Sequence, residues 1–180
     1  IPDVEIHWSC DKSVSKKNVP IKDKLHYSDG IKDYLHSLCS PQDPIFEDPF
    51  YFNTKISDED GKIEGIINWF DAMEPINESY CNTIKTPMGG THESGFKTGV
   101  FKAFKEFSKL KYEKKSSQIN QEDLFGSSAS ILSVFLENPE FQGQTKEKLS
   151  SIEPGRKIES KIKILFEQWL TSKTKSAEEL

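Results

Sequence analysis

In the run Phe50-Tyr51-Phe52-Asn53-Thr54-Lys55-Ile56-Ser57-Asp58-Glu59-Asp60-Gly61-Lys62-Ile63-Glu64-Gly65-Ile66-Ile67-Asn68-Trp69, Phe50, Phe52 and Thr54 recur with a period of two, and so do Ile63, Gly65, Ile67 and Trp69. That period marks strands with one buried face. Asp58-Glu59-Asp60-Gly61 between them carries turn-forming residues. A third strand is read from Tyr80 to Thr86, after a connection over Asp71 to Asn77. Short neighbouring strands with polar turns predict an antiparallel meander with one solvated face.

Helices flank these strands. Pro87-Met88-Gly89-Gly90-Thr91 breaks the pattern, and Phe96, Val100, Ala103, Phe104 and Phe107 then repeat at three and four residues. They predict a helix from about His92 to Leu110, with Thr91 as N-cap and a broad apolar face for the sheet. Ser130 to Leu136 is apolar on much of both faces, which predicts a central strand. The stripe Ile158, Ile162, Leu165, Phe166 and Trp169 predicts a last helix from about Arg156 to Leu170. The fold class is α+β.

Towards the start, Val4, Ile6 and Trp8 alternate with Glu5, His7 and Ser9 as in a half-buried strand. Asp11 to Lys24 is lysine-rich and apolar-poor and reads as a loop, either an interdomain connector or a long surface loop. Ser28-Asp29-Gly30 opens a short helix, with Asp29 placed to accept from the first-turn N–H groups. The polar stretch 111–121 predicts a loop, and 171–180 a frayed end or linker.

Composition narrows the function classes. The 180 residues hold one medium domain, or one domain and part of another. No apolar run is long enough to span a membrane. The start has no signal-peptide pattern, and a first residue of Ile1 suggests a beginning inside a larger protein. Cys10, Cys39 and Cys81 are an odd count at spacings that fit no metal knuckle, so a reduced, cytoplasmic setting is expected. The net charge is −5, with Arg156 the one arginine, which argues against tight autonomous nucleic-acid binding. Local lysine clusters such as Lys109, Lys111, Lys114 and Lys115 leave room for weak contact. There is no phosphate-binding P-loop, no nucleophile elbow and no paired-histidine metal motif, so no metal site is predicted.

Two segments stand out. Gly89-Gly90 before a helix start permits either an anion contact or a tight strand–helix turn. His92 and Glu93 are adjacent on that helix and point apart, which favours hydrogen bonding over proton transfer. In Gln142-Gly143-Gln144-Thr145-Lys146-Glu147-Lys148, Gln144 offers an amide donor and Lys146 a mobile positive charge. They form either a tip that meets a phosphate or a solvated loop with ordinary lysines.

Tyr80-Cys81-Asn82-Thr83-Ile84-Lys85-Thr86-Pro87-Met88-Gly89-Gly90-Thr91-His92-Glu93-Ser94-Gly95-Phe96-Lys97 resembles a signature of type IIA topoisomerase B subunits, and so does Pro139-Glu140-Phe141-Gln142-Gly143-Gln144-Thr145-Lys146-Glu147-Lys148-Leu149. Val4 to Asp11 and His26 to Leu35 are more similar to the bacterial topoisomerase IV B subunit than to gyrase B. The resemblance implies a transducer domain: 1–20 the last strand of a GHKL ATPase domain and a connector, 21–172 the transducer, 173–180 a tail or linker toward a toprim domain. Its implied fold is that of ribosomal protein S5 domain 2, with a mixed sheet, helices on one side and a left-handed β-α-β crossover, against the usual right-handed rule.

The same resemblance implies that Gln144 and Lys146 reach ATP held by the neighbouring ATPase domain. Lys146 would act catalytically on the γ-phosphate and Gln144 would position it. Mg²⁺ and most ATP contacts would belong to residues outside these 180, so the isolated chain is expected to be inactive. The implied partners are a topoisomerase A-type subunit in a heterotetramer, duplex DNA, and a second copy joined through the ATPase domain. Gyrase B and a freestanding nucleic-acid-binding S5-like module are the alternatives. Met88 stands where the family usually has Glu, Lys97 where it has Arg, and Phe125-Gly126-Ser127 replaces an Arg-Glu-Gly-type element.

Overall fold

The computed structural model describes residues 2, 4–13, 20–111 and 116–173. They fall into two compact units, 1–40 and 41–180.

In the first unit, β1 (Glu5–Ser9) pairs antiparallel with β2 (Lys22–His26), placing Ile6 opposite Leu25 and Trp8 opposite Asp23. The stretch read as loop up to Lys24 therefore returns as a strand. Every residue of β2 is exposed, so no buried face imprints a period on its sequence. α1 (Ile31–Cys39) starts after Gly30, whose φ of 58° is left-handed and suits glycine. Asp29 does not cap this helix with its side chain. Instead Asp33, inside the first turn, accepts from the Asp29 N–H at 2.9 Å.

In the second unit, β3 (Phe50–Ser57) and β4 (Gly61–Trp69) form the expected hairpin, Phe50 opposite Ile67 and Phe52 opposite Gly65. Then come β5 (Ile76–Cys81), β6 (Ile84–Lys85), α2 (Thr91–Lys111), α3 (Gln121–Phe125), β7 (Ser128–Phe135) and α4 (Ile152–Ser172). The sheet order is β3-β4-β7-β5-β6. β7 runs antiparallel to β4 and parallel to β5, so the sheet is mixed. The expected central strand is β7. The expected meander is not formed, because β7 separates β4 from β5. β7 is buried along nearly its whole length, as an interior position requires, whereas β5 carries Asn77, Glu78 and Ser79.

The single strand expected from Tyr80 to Thr86 is a hairpin instead. Asn82 and Thr83 have φ of 49° and 68°, and β5 turns back into β6. Asn82 tolerates this left-handed backbone. Its Nδ2 donates to the Leu136 carbonyl and its Oδ1 accepts from the Leu136 N–H, both at 2.9 Å.

The core joins Ile63, Ile67, Trp69, Leu132 and Val134 of the sheet to Phe96, Val100 and Phe104 of α2 and Ile158, Ile162 and Phe166 of α4. Each fully buried apolar side chain of this size contributes roughly 1.5–3 kcal/mol. The Trp69 indole N–H donates to the Leu124 carbonyl at 2.7 Å, which anchors α3. α3 is closed by a reciprocal capping box between Asn120 and Asp123. α4 begins before the expected Arg156, because Pro154 in the first turn has no helical N–H bond to lose. α2 and α4 touch backbone to backbone: a Cβ on Gly95 would lie 2.3 Å from the Gly155 carbonyl oxygen.

Candidate functional site

The two segments singled out in the sequence form one body. After β6 the chain turns, with the Gly89 N–H donating to the Thr86 carbonyl at 2.8 Å. Gly89 and Gly90 have φ of 64° and 141°, which only glycine adopts readily. Residues 141–149 form a loop whose stem is the antiparallel bridge between Phe141 and Leu149. The Gln142 N–H donates to Lys148 O at 2.8 Å, closing the stem. The stem is then bound to the glycine turn. Met88 N–H donates to Glu147 O at 3.0 Å, Leu149 N–H to Gly89 O at 3.1 Å, and Thr91 N–H to Leu149 O at 3.0 Å. On the other side, Ser150 N–H donates to Glu140 O and Glu140 N–H to Ser151 Oγ, both at 2.8 Å, which ties the loop to the start of α4. The paired glycines therefore serve a turn and a close backbone approach.

Beyond this stem every residue from Gln142 to Lys148 is exposed. Gln144 and Lys146 share the tip. Gly143 has φ 88° and Lys146 φ 58°, and the Lys146 N–H donates to Gly143 O at 3.4 Å. A left-handed backbone is costly for a lysine. Its Nζ lies 5.8 Å from the centre of the Phe141 ring. Phe141 is half-buried and packs against the core, so the ring has a fixed seat. The tip thus presents an ammonium and an amide on an exposed span over a hydrogen-bonded stem, suited to meeting an anion.

Sequence reasoning missed the polar network beneath the turn. Ser79 Oγ and Thr86 Oγ1 are 2.7 Å apart, and Thr86 Oγ1 is 3.2 Å from His92 Nε2. Ser79 Oγ also donates to Glu93 at 3.3 Å, and Lys97 Nζ donates to the same carboxylate at 2.7 Å. His92 is fully buried and its Nδ1 has no hydrogen-bond partner. Placing the proton on Nε2 leaves only a lone pair unmet. His92 then donates to Thr86 and Thr86 to Ser79, whose hydroxyl has the Thr86 carbonyl at 3.1 Å and Glu93 at 3.3 Å as acceptors. Burial pushes the His92 imidazole down to about 4, against the opposing pull of Glu93. His92 and Glu93 are structural partners, and His92 is neutral at physiological pH. The signal available was Ser79, which shares β5 parity with buried Cys81.

Lys97 keeps an ion pair with Glu93. Met88 is 64 % exposed and lines a cleft with Glu93, Lys148 and Arg156. Lys109 lines a surface cleft with Lys102, Lys105 and Lys163, where Lys102 pairs with Glu159 and Lys163 with Glu106. Lys114 and Lys115 of the expected cluster lie outside the described residues. Among the described residues no group of three His, Cys, Asp or Glu side chains gathers to hold a metal, and no helix is long and apolar enough to cross a membrane.

Residues 30–180 match the family model described as DNA gyrase B. The chain belongs to the DNA gyrase B family. Among curated relatives, the B subunit of DNA topoisomerase 4 from Caulobacter vibrioides is 37% identical over 181 residues, covering 98% of this chain and 26% of that protein. The corresponding B subunit from Rickettsia bellii is 38% identical over 171 residues, covering 94% and 26%. This gyrase B family chain therefore spans about a quarter of the length of the curated relatives it matches. The topoisomerase IV ATP binding domain of Francisella tularensis, solved with a small-molecule inhibitor, superposes with a TM-score of 0.77 at 29% identity, covering 98% of this chain and 45% of that one. The 43K ATPase domain of Thermus thermophilus gyrase B shares the fold, with a TM-score of 0.74 at 20% identity over 96% of this chain and 45% of that one.

Proposed function

We propose that this chain is the transducer segment of the ATPase-bearing subunit of a type IIA topoisomerase, of the topoisomerase IV kind, and couples ATP binding and hydrolysis to DNA strand passage. In this reading 1–20 is the last strand of the ATPase domain and its connector, 21–172 the transducer with an S5 domain 2-like fold, and 173–180 the linker onward. In the same reading, the parallel pair β5 and β7 with α2 between them in the chain is the left-handed crossover that such a domain carries. The relatives from topoisomerase 4 support this kind over gyrase B.

The observation that carries the proposal is the stem of the 141–149 loop, bound by backbone hydrogen bonds to the glycine turn at the start of α2. A contact made at the exposed tip is transmitted to both long helices. Lys146 contacts the γ-phosphate of ATP held next door and stabilises the charge that develops there, while Gln144 positions that phosphate. Mg²⁺ and the remaining nucleotide contacts belong to the ATPase domain. The partners are an A-type subunit, duplex DNA and a second copy of the full-length subunit.

Lys146→Ala in the full-length subunit tests the role. Loss of one preorganised donor to a transition-state charge costs about 10²-fold in turnover. ATP hydrolysis and strand passage are expected to fall by that order. Unchanged values for both would end this assignment.

A further inference from the structure

We propose that Phe141 is a positioning residue that holds the Lys146 ammonium on the loop's own stem and competes with the nucleotide for it. The inference rests on the role proposed above for Lys146. Three observations lead to it. The Phe141 ring is half-buried against the core and its backbone is bridged to Leu149, so its seat belongs to the stem and not to the tip. Lys146 Nζ lies 5.8 Å from the ring centre, within the reach of a cation–π attraction. The Lys146 backbone is left-handed, φ 58°, and so sits in a less populated basin than the one an extended lysine uses. Neighbouring Glu147 is engaged by the Thr145 hydroxyl at 3.2 Å.

The physical consequence is a two-position lysine. Without nucleotide the ammonium rests on a neutral ring, a contact weak enough to release. A terminal phosphate carries full negative charge and outcompetes the ring once it is within reach. Because leaving the ring is part of engaging ATP, the ring lowers the apparent affinity. Exposed cation–π contacts are modest, so the effect is about two- to fivefold.

The test measures Kd for a non-hydrolysable ATP analogue, and kcat and KM for ATP hydrolysis, in the full-length subunit. Phe141→Leu and Phe141→Met keep an apolar anchor without a ring face. Both are expected to lower Kd and KM about two- to fivefold with kcat unchanged. Phe141→Tyr keeps the face and is expected to match the native protein. In a Lys146→Ala background, Phe141→Leu is expected to change nothing. Kd unchanged or raised by both ring-free substitutions overturns the proposal, as does an equal tightening with Lys146 absent. If Lys146→Ala lowers affinity or turnover while the Phe141 variants stay native-like, this inference fails and the role of Lys146 stands. If Lys146→Ala changes neither, both fall.

Discussion

Gly90 lies flat against the backbone of Leu149, so close that a Cβ on Gly90 would sit 2.3 Å from the Leu149 carbonyl oxygen. The two residues are bridge partners, and their contact joins the glycine turn to the loop stem. Gly90→Ala forces a left-handed alanine and a clash at once. The expected cost is about 2–4 kcal/mol. Urea denaturation should show the midpoint falling by about 1–2 M with an unchanged slope. A midpoint within about 0.2 M of native, on the order of measurement error, would refute the close contact.

Acidification should expose the buried histidine. His92 titrates near 4 in the folded chain against an ordinary value of 6.5. The unfolded chain therefore takes up the proton first as pH falls. The His92 contribution to stability is full above pH 6.5, declines between 6.5 and 4, and levels off below. The span corresponds to about 3 kcal/mol. Glu5 and Asp60, whose carboxyls are held low by Lys24 and Lys157, also lose stability in acid, so the difference between variants is the informative quantity. His92→Gln should remove the component between pH 6.5 and 4. Parallel curves for the two proteins would show that this histidine titrates normally.

Asn82 serves two purposes that substitution separates. Asn82→Gly keeps the left-handed backbone and loses the two hydrogen bonds to Leu136. Asn82→Ala loses the bonds and adds strain at φ 49°. Net losses of about 1–2 kcal/mol for glycine and about 1 kcal/mol more for alanine are expected. Thermal melts of the two variants would rank them, and equal losses would remove the backbone argument.

Helix propensity and packing oppose each other at Gly95. Alanine is worth about 1 kcal/mol more than glycine inside an exposed helix. Here the added methyl meets the Gly155 carbonyl at 2.3 Å, so packing wins and the helices must separate. Gly95→Ala should destabilise by about 2–3 kcal/mol. A stabilised variant would mean that α2 and α4 do not touch at this point.

What the sequence revealed follows burial. Phe50–Trp69 and Ile158–Trp169 each put an apolar face into the core, and the periods of two and of three to four reported both. β2 has no buried face and left no period. The turn at Asn82-Thr83 hid inside a run of strand-forming residues, because its support comes from Leu136, more than fifty residues away. The position of β7 between β4 and β5 is likewise a long-range choice that local patterns do not carry. At the candidate site, the glycine- and lysine-bearing run around Gln144 and Lys146 read as a loop, and the structure places both on an exposed tip. For the polar chain, the parity of Ser79 with Cys81 hinted at its buried end, but Thr86 lies beyond β6 and joins it only through the turn before α2.

The sheet order has a consequence for how this protein is made. β7 is the last of the described strands to leave the ribosome, yet it fills the slot between two earlier hairpins. Until Ser128–Phe135 emerges, β4 offers an unpaired edge bearing Ile63, Ile66 and Ile67, the kind of edge that other chains extend. Nascent chains halted before that point are aggregation-prone, and assembly of the sheet waits on its final strand.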